Sequence, residues 1–296
     1  MATPSLVNLF KKYSAASITI IGSRASVELI KEFPQVNNYF LTSKKYNSNI
    51  KLIKKVRSLN FETFISFRSS IRTTLMSHFF NIENIFQYDK NKFKLGHQVE
   101  KYNLFIANSI GITMPPGPLF LGQSPCKKIV SENKKVGINP GAAYGNAKRW
   151  TLEGFCEVAL QLSKEYDIVL FGGNSEIDIC NDIEKILNNH GRENITNLAG
   201  KTSITELMRE ISNIDLFITG DSGPMHIAAA FQIPTISIFG PTKHLETSQW
   251  MNNKSVLIRK DLDCQPCMKR ECPLGHHQCM ELIMPEEVIA QSLNLI

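Results

Sequence analysis

The stretch IDLFITGDSGPMHIAAAF, Ile214 to Phe231, decides the fold. LFIT is a short continuous apolar run, the mark of a strand buried on both faces, and such strands belong to parallel sheets covered by helices. Gly220 permits a tight turn, Asp221 or Ser222 can cap the next helix, Gly223 removes a Cβ, and Pro224 suits the first turn of that helix, carried by PMHIAAAF. In such sheets ligands bind beyond the carboxyl ends of the strands. A helix N-terminus there, with its free N–H groups and positive dipole end, suits a diphosphate. His226 lies early in this helix and can face the same anion, and Asp221 can accept hydrogen bonds from sugar hydroxyls. The plainer reading of the pair is a capping aspartate and an ordinary helix histidine.

The pattern repeats outward from this point. KKVGINP reads as a strand ending in a turn, and WTLEGFCEVALQLSKEY as a helix with Thr151 at its N-cap. DIVLFGG, the helix EIDICNDIEKILNNH and NITNLAG come after it, then SITELMREI with Ser203 and Glu206 spaced as a capping box. PTISIFGP reads as the last strand, and a C-terminal helix closes the chain. Upstream, a helix over MATPSLVNLFKKY precedes the strand ASITIIG. The helix SVELIKEF, the strand NYFLTS, the basic helix NIKLIKKVRSL, the strand FETFISF and the helix SIRTTLMSHFF come next. The Pro- and Gly-rich stretch Gly111 to Lys128 is the best linker. The expectation is therefore α/β, with two Rossmann-like domains over residues 1–120 and 121–296.

Composition narrows the class. A 296-residue chain with 43% hydrophobic residues can build two cores. No run reaches the ~20 apolar residues of a membrane span, and no signal peptide opens the chain, so a cytoplasmic protein is expected. Of seven cysteines, Cys126, Cys156 and Cys180 are scattered through the patterned region, which argues against a secreted disulfide framework. Residues 1–120 carry 16 Lys and Arg against 6 Asp and Glu, whereas the remainder is net acidic by four. The first half is thus the one to meet an acidic partner, or simply a basic solvated surface.

Three further segments carry chemistry. NPGAAYGNAKRW, Asn139 to Trp150, has small residues that let the backbone approach a ligand and a cation, Lys148, within reach. It matches neither the GxxxxGK[ST] phosphate loop nor GxGxxG. In FGGNSEIDI, Glu176 comes shortly after a strand-ending Gly pair, where a carboxylate can hold ribose hydroxyls or merely favour a helix N-terminus. DCQPCMKRECPLGHHQCM gathers Cys264, Cys267, Cys272 and Cys279 around His276 and His277. That spacing fits a zinc site, buried thiols or a reversible disulfide.

Taken in order, NPGAAYGNAKRW, LAGKTSITEL, GDSGPMHIAAA, IFGPT and CQPCMKRECPLGHHQCM resemble the ADP-heptose:lipopolysaccharide heptosyltransferases, most of all their heptosyltransferase II branch. ATPSLVNLFKKY and FRSSIRTTL carry a fainter likeness in the first half. The resemblance implies a GT-B fold, two Rossmann-like domains facing each other across a cleft, and an inverting transfer of heptose from ADP-heptose to the heptose of the lipopolysaccharide inner core. It implies that Ala142, Ala143 and Tyr144 lie along the phosphates and that Lys148 binds phosphate. Glu176 would hold the adenosine ribose, Thr202 the adenine edge and Asp221 the heptose. The backbone from Ser222 through Gly223 and Pro224 to Met225, with His226, would hold the diphosphate. Lys148 and His226 would stabilise the departing ADP, and Arg68 and Arg72 would bind a lipid A–Kdo–heptose acceptor at the inner face of the cytoplasmic membrane, by peripheral association. The family needs no cofactor for this reaction; zinc at the four cysteines would be an addition.

One departure bears on activity. In the family a first strand ends in a Gly-Asp turn whose aspartate is the expected base, and the segment resembling MATPSL comes after it. With that base outside Met1–Ile296, the expectation is a destabilised first domain and an impaired catalyst that still binds donor. A nucleotide-sugar epimerase of the same shape is an alternative, separable by product analysis with ADP-heptose alone. A nucleic-acid or zinc-binding module is another, but the basic half lacks interleaved aromatic and Arg residues, so no nucleic-acid partner is expected.

Overall fold

The computed structural model describes residues 1–43, 46–68, 70–122, 133–141 and 145–296, the side chains of residues 46, 47 and 72 excepted. The chain divides into two compact units, Met1–Gln123 and Ser124–Ile296.

The first unit runs α1 (Thr3–Lys12), β1 (Ile18–Gly22), α2 (Arg24–Ile30), β2 (Val36–Leu41), α3 (Tyr46–Arg57), β3 (Thr63–Ser66), α4 (Ile71–His78), β4 (Asn84–Gln87) and α5 (Gln98–Ile110). Among the described residues its strands form two separate parallel pairs, β1 with β2 and β3 with β4. One core gathers Leu9, Phe10, Phe33, Tyr88 and Phe105, and a second gathers Leu52, Val56, Phe80 and Ile82. Helix α1 is locked in by a buried asparagine. Asn8 Nδ2 donates to Asn103 Oδ1 on α5 and to the carbonyls of Met114 and Pro115, each at 3.1 Å. Strand β4 and helix α5 go beyond the elements expected from sequence: NIFQ is too short and too polar at its ends to stand out as a buried run. Gly111, expected to open a linker, closes α5 in the left-handed conformation at φ 68°.

The second unit runs β5 (Lys135–Asn139), α6 (Leu152–Leu162), β6 (Asp167–Leu170), α7 (Ile177–Asn189), β7 (Ile195–Asn197), α8 (Ile204–Ser212), β8 (Leu216–Gly220), α9 (Gly223–Ala230), β9 (Thr235–Phe239), α10 (His244–Thr247), β10 (Ser255–Arg259), α11 (Gln278–Glu281) and α12 (Pro285–Leu295). All six strands are parallel in the order β10-β9-β8-β5-β6-β7. Every residue of β8 and β9 is buried. The expected caps are present: Thr151 Oγ1 accepts from Gly154 N at 3.1 Å, and Ser203 and Glu206 exchange both bonds of a capping box. PTISIFGP, however, is not the last strand. SVLIR extends the sheet by one more, an edge position with only Ile258 buried, which is why no continuous apolar run announces it. Among the described residues no helix is long and apolar enough to cross a membrane.

Candidate functional site

The order of the sheet points to the site. Chain connections from β5 go to β6 and β7 on one side, while β8, its other neighbour, leads to β9 and β10 on the other. Loops leaving β5 and β8 therefore diverge, and the crevice at such a switch point is where parallel sheets bind ligands. Asn139, the last residue of β5, is paired in register with Thr219 of β8 and donates to its Oγ1 at 3.0 Å. The same amide reaches Ser222 Oγ at 3.3 Å, which joins the two loops at their roots. Ser222 precedes α9 but makes no side-chain cap, since its hydroxyl contacts Thr219 Oγ1 at 3.0 Å. The first turn of α9 thus keeps backbone donors for something else.

At the centre of this crevice is a buried ion pair. Lys148 lies beyond β5 in a short 3-10 turn, Asn146–Lys148, and its Nζ donates to Asp221 Oδ2 at 2.5 Å and to the Asp221 carbonyl at 3.4 Å. Thr242, in the loop after β9, donates to the same Oδ2 at 2.8 Å. The two charged side chains keep 13% and 9% of their surface exposed. Charges this enclosed persist only when paired and hydrogen-bonded, so each fixes the other. The resemblance assigns Lys148 to phosphate and Asp221 to sugar; in this structure they hold one another. His226 is half-buried on the first turn of α9, and the Met225 side chain is fully buried in the core below, leaving only its backbone toward the loop.

Glu176 lies one strand further along, after β6. It is buried, and its oxygens are committed locally: Oε2 accepts from Gly173 N at 2.9 Å, and Oε1 from Ser175 Oγ at 2.7 Å. Arg149 approaches Oε1 at 3.5 Å, linking Glu176 to the Lys148 turn. Gly141 lies so close that a Cβ there would sit 2.0 Å from Glu176 Cγ, so this position tolerates no side chain. Thr202 is half-buried after β7, just before the Ser203 cap of α8. In the first unit Arg68 is exposed two residues beyond β3, its carbonyl accepting from Gln87 Nε2 at 3.0 Å. Ala142, Ala143, Tyr144 and the side chain of Arg72 lie outside the described residues.

The structure adds Asn139, Thr242 and Arg149 to the residues named from sequence. The signals were a polar residue ending an apolar strand, the threonine of IFGPT, and the neighbour of Lys148. Of the four clustered cysteines, Cys264, Cys267 and Cys272 are half-buried and Cys279 is buried, all as free thiols. They line one small cavity of about 20 Å³ with His276 and His277. Among the described residues no group of three His, Cys, Asp or Glu is placed to hold a metal ion. Backbone N–H groups, that of His277 foremost, hold the Cys272 thiol below its usual range, whereas burial pushes Cys279 up to about 11.

Comparison with known proteins gives the family and the fold. The family model described as glycosyltransferase family 9 (heptosyltransferase) matches residues 43–278. A lipooligosaccharide heptosyltransferase 2 of Campylobacter jejuni is 40% identical over all of this chain and 94% of its own length. The solved ADP-heptose lps heptosyltransferase II of Escherichia coli superimposes with a TM-score of 0.83 at 24% identity, over 99% of this chain and 93% of that one. The E. coli heptosyltransferase WaaC with ADP does so at 0.66 and 15%, over 86% and 88%. The fold is the two-domain α/β GT-B fold. A match over most of the chain, and a relative this similar along its whole length, place the protein in glycosyltransferase family 9, among the heptosyltransferases.

Proposed function

We propose that the chain moves L-glycero-D-manno-heptose from ADP-heptose to the heptose of the lipopolysaccharide inner core, inverting the anomeric carbon. The observation that carries this reading is the Lys148–Asp221 pair at the switch point, beside the uncapped first turn of α9. A diphosphate entering there exchanges Asp221 for its own oxygens on Lys148. The α9 N–H groups and His226 meet the same anion. Asp221, still held by Thr242, is then free to accept from the sugar hydroxyls. Glu176 and Thr202 take the adenosine end, and Ala142 to Tyr144 run along the phosphates. As an acceptor hydroxyl attacks the anomeric carbon and releases its proton to solvent, the expected aspartate base lying outside Met1–Ile296, the bond to the β-phosphate oxygen breaks and its electrons leave with ADP. Lys148 and the helix end stabilise that developing charge, the commonest large contribution to such catalysis. Arg68 and Arg72, on the basic half of the chain, suit an acceptor bearing carboxylates and phosphates. A lipid A–Kdo–heptose acceptor implies peripheral association at the inner face of the cytoplasmic membrane.

The test is a transfer assay with ADP-heptose and heptosylated acceptor, read by mass spectrometry as the gain of one heptose. Lys148→Ala should lower kcat/KM by about 10²-fold. An isomerised ADP-heptose in place of transfer, or an unaffected Lys148→Ala enzyme, would overturn the reading.

A further inference from the structure

The Cys-rich segment, residues 264–279, lies outside the donor loops yet touches the turn that carries Lys148 and the loop that carries Thr242, the donor to Asp221. On one side Gln265 Nε2 donates to the Gly240 carbonyl at 2.6 Å, and Met268 N donates to that of Pro241 at 2.9 Å. These two residues lead directly into Thr242, the donor to Asp221. On the other side the Arg270 carbonyl accepts from Ala147 N at 3.0 Å, and His277 Nε2 meets the Ala147 carbonyl at 3.0 Å. Ala147, between Asn146 and Lys148, is thus gripped at both its backbone groups by the same segment. A carbonyl only accepts, so Nε2 carries the proton in this contact.

The grip is tight. Gly145, at φ 154°, lies where a Cβ would come within 2.5 Å of the Arg270 carbonyl. His277 is itself in the left-handed region at φ 45°, a conformation that a non-glycine residue holds only when its surroundings impose it. Its N–H donates to Cys272 Sγ at 3.4 Å, and its carbonyl accepts from Met280 N at 2.9 Å to open α11. Helix α11 is anchored in turn, with Cys279 and Met280 buried. A Cβ at Gly240 would lie 2.8 Å from Met280 Cε.

We propose that this segment is a buttress setting the distance between Lys148 and Asp221, with His277 as the positioning residue for the Lys148 turn. It rests on the donor-site reading of Lys148 under the proposed function. His277 touches no substrate in this scheme; it acts through Ala147, and an error of even 1 Å at a charged catalytic group is costly.

The test pairs two substitutions with a double variant. His277→Leu keeps bulk and removes the donor, and should lower kcat/KM for ADP-heptose about 10-fold while leaving the acceptor KM unchanged. His277→Gln keeps an N–H donor at similar reach and should stay within about 3-fold of the parent. Combined with Lys148→Ala, His277→Leu should add no further loss, because residues acting through one group are not additive. If Lys148→Ala leaves transfer unchanged, the donor-site reading fails and the buttress with it. With Lys148→Ala impaired, a silent His277→Leu overturns the buttress alone. So does a double variant whose losses multiply, or a His277→Leu enzyme whose loss tracks a lowered Tm and is not rescued by Gln.

Discussion

The two units of this chain build parallel sheet in different ways. In the second, β8 and β9 are buried at every residue within a six-stranded sheet, and the loops they feed carry Asp221 and Thr242. In the first, the described strands stand in two pairs: β1 is half-exposed throughout, and β2 exposes four of its six residues, Tyr39 and Leu41 among them. A strand flanked on both sides gives up no backbone groups to water, whereas a two-stranded pair has an edge on each side. Rigidity is therefore concentrated in the sheet whose loops carry the Lys148–Asp221 pair, and is lower in the half-exposed strand pairs of the first unit.

The largest expected consequence is in hydrogen exchange. Amides of Ile218 and Ile236 should exchange at least ~10³-fold more slowly than those of Ile20 and Tyr39, since local opening spans from near zero to the full stability of a domain. Equal protection in the two units would erase the contrast. Next comes truncation. Ile236→Ala, at a fully buried site, should cost roughly 2–5 kcal/mol. Tyr39→Ala, at a site 52% exposed, should cost under about 1 kcal/mol. Denaturant titrations can track the former selectively, because both tryptophans, Trp150 and Trp250, belong to the second unit. The smallest effect is a dependence on alkaline pH. Burial pushes Cys156 up to about 11 and Cys180 up to about 12, from 9.0. A folded-state value raised in this way contributes stability below pH ~9 that is lost as pH climbs toward those values, because the unfolded thiols release their protons first. Residues 1–123 contain no cysteine, so this loss should appear in tryptophan fluorescence and be reduced by Cys156→Ala with Cys180→Ala, the remainder coming from Cys279, which is also pushed up to about 11.

The same contrast explains what is legible in the amino-acid order. Doubly covered strands write themselves as apolar runs, so LFIT, DIVL and TISIF stand out and the α/β class is readable from them. The half-exposed NIFQ and the edge strand SVLIR have no such run, and neither is marked. Capping is also readable, because Ser203 and Glu206, or Thr151 and Gly154, are three residues apart. The pairing of Lys148 with Asp221 spans 73 positions, and that of His277 with Ala147 spans 130; no local pattern encodes either. Each depends on β5 and β8 being neighbours and on the Cys-rich segment folding back. That is tertiary information, available only once the strand order is known.

The ion pair changes what binding means for this site. If the donor binds as proposed, Lys148 is never short of an anion: before the donor arrives it has Asp221, and when the donor leaves Asp221 is still beside it, tethered by Thr242. Occupancy is thus an exchange of one counter-ion for another, and affinity measures only the difference between them. On that proposal the aspartate is a competitor built into the protein, one that keeps the lysine from standing as a bare charge and that would help to expel ADP once the sugar has gone.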